Sequence, residues 1–302
     1  MRPLSLNDFF GQDDIKKSLS VYIDSAKQRS ASLDHTLFFG PPGLGKTSLA
    51  MIIGSEFGVK TKVISAPTIE KIGDLVAILT SLEFGDILFI DEIHRLPIFL
   101  EETLYSAMED FKVDIIIASG NEKSVITLEL EPFTLIGATT KTSLLSQPLK
   151  DRFGIKFELQ PYSVDELSMI IKKSANNDGF DIIDSASRII ASASRFTPRV
   201  ALNIYSRVRD HAVVNGVQTI DDELAYIALD ALALDDKGLS DIDQKYLSIL
   251  KEKYPQPVGI KTLAALLDRD EKSVEDEIEP HLLKLGLIQK TTSGRILNLK
   301  EK

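Results

Sequence analysis

The chain has 302 residues, a formal net charge of −10, 43% hydrophobic and 26% charged residues and no cysteine. That is the balance of a globular protein with room for two or three modules, and it excludes disulfides and thiolate metal sites. No apolar run approaches the roughly 18–20 residues of a bilayer span. The acidic balance also argues against coating nucleic acid by charge alone, so any DNA contact should be local or shared with a more basic partner.

The opening Met1-Arg2-Pro3-Leu4 leads into polar residues rather than an apolar signal stretch, so a cytoplasmic location is the expectation. Short apolar runs at 35–40, 60–65, 86–91, 133–138 and 155–159 alternate with stretches of helical period such as 46–57 and 69–82. Apolar strands alternating with helices predict a parallel, three-layer α/β sheet. After Pro161 the strand signals stop, and 164–176, 184–195, 198–215 and 221–234 carry apolar residues at three-to-four spacing. Ser163, with Glu166 three residues on, and Asp184 are the expected N-caps of this all-helical module. Asp235-Asp236-Lys237-Gly238 marks a second boundary. Helices then follow at 241–254, 260–267 and 272–285, with Pro280 expected to kink or break the last and Gly286 to end it. Strands at 287–290 and 295–297 close a small hairpin. Three helices followed by such a wing suggest a winged-helix module. The expected division is 1–160, 161–235 and 236–302.

Gly40-Pro41-Pro42-Gly43-Leu44-Gly45-Lys46-Thr47 fits the phosphate-loop pattern G-x-x-x-x-G-K-[ST], with a strand entering it and a helix leaving near Lys46. Glycines let backbone N–H groups wrap a phosphate without Cβ clashes, and the helix N-terminus adds partial positive charge. Lys46 supplies a point charge to the β/γ oxygens of ATP, and the Thr47 hydroxyl ligates Mg²⁺. Ile87-Leu88-Phe89-Ile90 ends in Asp91-Glu92. Asp91, at the carboxyl end of a buried strand, is placed to hold the magnesium shell, and Glu92 to polarise the attacking water. A third strand ends in Thr139-Thr140, where a hydroxyl could sense the γ-phosphate, although threonine there is also an ordinary strand former. His94 reads as a local hydrogen-bonding group, since no second metal ligand lies at suitable spacing.

The phosphate loop, Phe89–Leu96 (89–96), Ala107-Met108-Glu109-Asp110-Phe111, the stretch 133–140, Asp151-Arg152-Phe153-Gly154-Ile155, Arg2-Pro3 with Gly11-Gln12, and Arg207-Val208-Arg209-Asp210 resemble, in order and spacing, the RuvB branch-migration motors of the AAA+ class. The resemblance spans essentially the whole chain. It implies an AAA+ core, an all-α lid and a winged helix, with ATP and Mg²⁺ as cofactors. By itself Arg152 reads as a solvated or salt-bridged arginine beside Asp151; the resemblance makes it an arginine finger for a neighbouring subunit's ATP. It makes Thr139 the first sensor and Arg199 the second. Arg2, Gly43, Gly45, Ser48, Glu109, Asp110, Phe111 and Tyr162 become further nucleotide-binding positions.

The resemblance also implies partners: a homohexameric ring on Holliday-junction DNA, the junction-binding protein RuvA and the RuvC resolvase. The expected hairpin over 113–130, turning at Ser119-Gly120-Asn121-Glu122, is the RuvA contact in that family. Ile115-Ile116-Ile117 suits either a sticky surface or an ordinary buried strand. Lys290 and Arg295 on the wing match DNA-contacting positions, binding phosphate without reading sequence. Glu271 and Ser293 stand where relatives carry further arginines, so the DNA grip is expected to be weaker or to use Arg269 and Lys272. The implied function is an ATP-driven junction motor. The alternatives are a clamp loader or replication-initiation ATPase, a non-catalytic nucleotide switch, and a small-molecule P-loop kinase.

Overall fold

A computed structural model describes Pro3 and residues 5–119 and 122–298, with the backbone alone at 116–119 and 122–124. Arg2 and the expected turn positions Gly120 and Asn121 lie outside the described residues. The chain forms two compact units, Met1–Tyr162 and Ser163–Lys302.

The first unit begins with α1 (Asp13–Gln28), whose buried Ile15, Leu19, Ile23 and Ala26 recur every three or four residues and form one face. Then come β1 (Thr36–Phe39), α2 (Lys46–Phe57), β2 (Thr61–Ser65), α3 (Ile72–Leu79), β3 (Ile87–Asp91), α4 (Ile98–Glu109), a hairpin of β4 (Lys112–Ser119) and β5 (Glu122–Glu129), β6 (Thr134–Thr139), α5 (Gln147–Arg152) and β7 (Ile155–Glu158). Five strands make one sheet in the order β2-β3-β6-β1-β7, every neighbour parallel. The interior strands β3 and β6 are apolar almost throughout because helices cover both faces. Gly137, mid-β6, is required by packing: a Cβ there would lie 3.0 Å from the Phe153 ring and 3.2 Å from Leu37 and Ile93.

The helix expected over 69–82 is shorter. Pro67 sits in a single 3-10 turn, Ala66–Thr68. The carboxylate of Asp74 then accepts the backbone N–H groups of Glu70 and Lys71 at 3.3 and 3.2 Å, which starts α3 at Ile72. The hairpin forms as expected from 113–130, antiparallel in register from Lys112↔Glu129 to Ser119↔Glu122. Ile115 and Leu128 pack on the core, whereas Val125 and Ile126 are exposed.

The second unit opens with four helices, α6 (Val164–Asn177), α7 (Asp184–Ser192), α8 (Pro198–Asn215) and α9 (Asp222–Ala231). Two-residue parallel strands β8 (Asp181–Ile182) and β9 (Thr219–Ile220) join their loops. Ser163 and Glu166 form the expected capping box. Asp184 does not cap: it is the first residue of α7, Ile183 holds the cap position, and the Asp184 carboxylate instead meets Lys172 and Arg188. Those two cations outcompete a backbone N–H, and together they hold the Asp184 carboxyl below its usual range.

Next come α10 (Asp241–Lys253), α11 (Ile260–Leu267), a helical turn α12 (Glu271–Ser273), a π-helical stretch Val274–Ile278, α13 (Glu279–Lys284), and the wing of β10 (Ile288–Thr291) and β11 (Gly294–Leu297). Pro280 accounts for the interruption: without an N–H it cannot bond back along the helix, and the turn before it widens rather than breaks. Gly286, at φ 70°, ends α13 as expected, with its own N–H and that of Leu287 returning to Leu283 and Leu282. Val258 bridges to Arg295 and completes the wing. Tyr246, Leu250, Leu263, Val274, Leu282 and Ile288 fill the core.

The helical and winged modules are tied by Arg195, at φ 50° in the loop before α8. Its Nε donates to the Gly238 carbonyl at 3.1 Å, and its Nη2 to the fully buried carboxylate of Asp243, which also accepts the Ser240 N–H at 2.8 Å. Gly238 has no room for a side chain, since a Cβ would lie 2.2 Å from the Ala193 carbonyl. Asp243→Ala removes the buried partner while Arg195 keeps some water. The expected loss is about 3 kcal/mol, the low end for breaking a buried pair, and is measured by urea unfolding of this unit.

Candidate active site

All five sheet strands run the same way, so their carboxyl ends share one edge. The phosphate loop leaves β1 there, with the Gly40 N–H donating to the Thr139 carbonyl of β6 at 3.3 Å. Asp91 ends β3, two strands from β1, or about 10 Å away across the sheet. Gly40, Gly43 and Gly45 take φ values of 130°, 81° and 105°, open to glycine and strained for other residues. The backbone is also crowded: a Cβ on Gly40 would lie 2.7 Å from the Leu159 carbonyl, and one on Gly45 2.9 Å from the Phe9 ring. Phe9 escaped the sequence reading because a single phenylalanine in a polar N-terminal stretch carries no periodic signal. Tyr162, almost wholly buried, donates to the Leu44 carbonyl at 3.2 Å and braces the loop from the far end of the unit.

Helix α2 starts at Lys46 with no acidic residue in its first turn, so its N-terminal N–H groups and dipole face the loop uncompensated. The Lys46 ammonium bonds the Gly40 and Pro41 carbonyls, both at 2.8 Å. An arriving triphosphate offers it a full negative charge in place of two neutral carbonyls. Thr47 and Ser48 follow on the same turn, each half-buried.

Glu92 sits just past β3 in a left-handed backbone conformation, φ 50°, and its N–H is fixed by the Asp91 carboxylate at 3.0 Å. Its Oε2 accepts the Thr140 hydroxyl at 3.2 Å and lies 3.2 Å from Nδ1 of His94. The same Nδ1 is 2.9 Å from the Thr139 hydroxyl, whose oxygen accepts the Lys141 N–H at 3.0 Å. Burial holds the His94 imidazole below its usual pKa despite the neighbouring Glu92, so it is neutral at neutral pH. Thr139, the expected sensor, is fully buried with its hydroxyl turned to His94. The hydroxyl that reaches Glu92 belongs to Thr140. Alternation along a strand separates adjacent side chains, and the sequence does not say which faces the loop.

Glu109, Asp110, Phe111 and Arg152 stand at the other edge of the sheet. Arg152 ends α5, three residues before β7 begins, and Ile155 pairs with Thr36 at the start of β1. The guanidinium donates to Glu109 at 3.0 Å and to the Pro148 carbonyl at 2.9 Å, and lies 4.4 Å over the Tyr105 ring. Phe111 packs with Phe133 and His35. His35 accepts the Leu135 N–H at 2.8 Å on Nδ1 and contacts the Met108 carbonyl at 3.1 Å through Nε2. Glu109, Pro148 and Tyr105 thus frame Arg152, which lies a strand length, about 13 Å, from the phosphate loop of its own chain.

In the second unit Arg199 is exposed in the first turn of α8 behind Pro198. The wing cations have partners within the module. Lys290 pairs with Glu279 at 2.6 Å, and Arg295 with Glu279 and Glu275, both at 2.7 Å. Glu279 is fully buried and also accepts the Tyr246 hydroxyl at 3.1 Å. Burial would raise its carboxyl, but Arg295 and Lys290 outweigh that and hold it below the usual range. Arg269 and Lys272 are exposed.

A depressed folded-state pKa gives stability that is present above the unfolded value, about 4.3 for glutamate, and is lost as pH falls through the folded value. Thermal melts should therefore show the winged module weakening below about pH 4, with a shallower acid slope in Glu279→Gln. Arg295→Ala, which strands the buried carboxylate, should destabilise the module more than Lys290→Ala, whose ammonium is half exposed.

Three family descriptions cover the chain: the Holliday junction DNA helicase RuvB P-loop domain at residues 1–159, the RuvB AAA lid domain at 162–235 and the RuvB C-terminal winged helix domain at 236–300. The Holliday junction branch migration complex subunit RuvB of Campylobacter fetus is 51% identical over 99% of this chain and 87% of its own length. Its counterpart in Helicobacter pylori J99 is 50% identical over 99% and 89%. The solved structure of the Thermotoga maritima RuvB Holliday junction branch migration motor aligns at a TM-score of 0.86 with 45% identity, over 99% of this chain and 96% of that one. With matches running through both units and through phosphate loop, lid and wing alike, the chain belongs to the RuvB family.

Proposed function

We propose that this chain is the ATP-hydrolysing motor subunit that drives branch migration of Holliday junctions in recombination and repair, working in the cytoplasm as a homohexameric ring. One observation carries the catalytic part. The phosphate loop and Arg152 occupy opposite edges of one parallel sheet, so a single chain cannot complete a reaction centre and the arginine serves the ATP of a neighbour.

Lys46 and the loop N–H groups bind the β- and γ-phosphates, and Thr47, Ser48, Gly43 and Gly45 shape the cradle. Thr47 and Asp91 offer the hard oxygen donors Mg²⁺ prefers, and the bound ion neutralises phosphate charge. Glu92 accepts a proton from the attacking water while Thr140 holds one of its oxygens. Arg152 of the adjacent copy, carried on the Glu109–Phe111 shelf with Asp110, stabilises charge on the γ-phosphate, an effect worth about 10³–10⁵ in rate in related NTPases. Arg199 reports the nucleotide to the lid. Arg195 passes that movement to the winged helix.

The exposed Val125 and Ile126 of the hairpin suit an apolar partner surface, and RuvA, which supplies junction recognition, is the partner assigned to it. RuvC joins as the resolvase. Lys290 and Arg295, with the exposed Arg269 and Lys272, grip the DNA backbone.

Complementation in mixed rings tests the shared centre. Lys46→Ala alone should neither bind nor hydrolyse ATP. Arg152→Ala alone should bind ATP without turnover. Mixing the two restores hydrolysis wherever an Arg152→Ala subunit holds ATP beside a Lys46→Ala neighbour with an intact Arg152. Full activity in Arg152→Ala alone, or none in the mixture of assembled rings, sinks the shared-site reading. Junction unwinding with and without RuvA then separates a branch-migration motor from a clamp-loading ATPase.

A further inference from the structure

We infer that Tyr105 is a positioning residue for the Arg152 finger: its ring seats the flat face of the guanidinium and so holds the in-plane donors of that cation ready for a phosphate. The inference rests on the reading of Arg152 as a finger for a neighbour's ATP. Tyr105 lies in α4, one turn before Glu109, so the two project from the same side of that helix. The central carbon of the guanidinium stands 4.4 Å from the centre of the Tyr105 ring, inside the range of a cation–π contact. The Arg152 side chain is 21% exposed, and Tyr105 packs against the apolar core, so the stack is largely shielded from water.

The two contacts from α4 fare differently when a triphosphate arrives. Every N–H of a guanidinium points outward in its own plane, so a carboxylate on its edge occupies donors that a phosphate needs. Glu109 does so, accepting from Nη2 at 3.0 Å, and has to give way. Its carboxylate is 56% exposed, where an ion pair is weak and readily exchanged. The Tyr105 ring occupies no donor. Stacked on the face, it keeps its hold while the edge changes partner. The Pro148 carbonyl, accepting from Nη1 at 2.9 Å, lies one turn back on α5 and moves with the arginine. Nε is buried without an acceptor among the described residues, so the guanidinium is seated at some cost in hydrogen bonding. The ring face, rather than a full set of acceptors, fixes where it lies.

Tyr105 also reaches the other end of the helix that carries the cation. Its hydroxyl shares a hydrogen bond of 2.9 Å with Oγ of Ser146, and Ser146 caps α5 by accepting the Leu149 N–H at 3.3 Å. Helix α5 has six residues, too few to hold a direction by itself. One tyrosine on the longer α4 thus touches both the cap and the last residue of α5.

Mixed rings of the full chain test this in trans, by steady-state ATP hydrolysis. The parent mixture pairs Lys46→Ala, which gives the finger, with Arg152→Ala, which holds the ATP. Adding Tyr105→Leu to the finger-giving chain should lower kcat by about ten-fold with KM for ATP changed less than about two-fold, since transition-state stabilisation is what is lost. Adding Tyr105→Leu to the ATP-holding chain should change kcat less than about two-fold, because that chain has no Arg152 left to position. Tyr105→Phe in the finger-giving chain loses the hydroxyl as Leu does but keeps the ring face. It should recover kcat to within about three-fold of the parent mixture.

Equal losses in the two placements reveal a purely structural role and overturn the inference. A kcat within about two-fold of the parent mixture when the finger-giving chain carries Tyr105→Leu overturns it as well. Equal losses with Phe and Leu do the same, because the ring face would then be irrelevant. Should Tyr105→Leu fail to fold by thermal melting, Tyr105→Met, unbranched and without a π face, replaces it in every arm. An inactive parent mixture of assembled rings removes the shared site and the role of Tyr105 together, whereas an active mixture indifferent to Tyr105 removes only the latter.

Discussion

The parallel alignment of five strands is the constraint from which the rest of this molecule follows. A parallel sheet gathers all carboxyl ends at one edge and all amino ends at the other, and connections must cross over the faces to return. Hence Lys46, Asp91, Glu92 and Thr140, spread across almost a hundred residues of sequence, come together without any local contact between their segments. The same geometry sends Arg152 away from them. A protein built from antiparallel hairpins could bring an arginine back beside its own phosphate loop in a few residues. Here α5 runs to the far edge before β7 begins, and the cation arrives about a strand length from the phosphate loop of its own chain.

The second unit is organised around buried carboxylates rather than a sheet. Asp243 receives Arg195, and Glu279 receives Arg295 and Lys290, with the Tyr246 hydroxyl donating as well. Each acid lies within a helix that also packs an apolar face, so it meets its cation as a condition of folding. Such pairs add little net stability over an apolar replacement of equal volume, but they fix one arrangement among many that a greasy core would tolerate. For a module proposed to transmit movement, orientation matters more than a few kcal/mol. The Arg195 link and the tight approach of Gly238 to Ala193 make the lid and wing one mechanical piece.

The fold was readable from the chain because its signals are of the kind a sequence carries well. Continuous apolar runs such as Ile87–Asp91 announce buried parallel strands, Ser163 with Glu166 announces a helix start, and Gly286 a helix end. The phosphate loop is legible because backbone geometry demands glycine at fixed places. What remained hidden depends on facing and on distant partners. Periodicity puts Thr139 and Thr140 on opposite sides of a strand but does not say which side meets Glu92. Asp184 looked like a cap and became an ion-pair partner, because Lys172 lies a helix away in sequence and beside it in space. Lys290 and Arg295 looked like free wing cations, and nothing local reveals that Glu279 waits beneath them.

That pairing bears on how an acidic chain can work on DNA. With the Arg295 guanidinium already paired, any DNA phosphate that reached it under the proposed reading would compete with Glu279 and Glu275 instead of meeting an empty cation, and each copy's grip would be weakened by the cost of that exchange. A weak grip defeats a lone binder. In the proposed ring it would be an advantage, because several weak contacts to one duplex sum to firm retention while any single one still releases quickly. A motor must let go of each phosphate before its next step, so on that reading partial neutralisation of the wing and sharing of the load among copies would be two sides of one requirement.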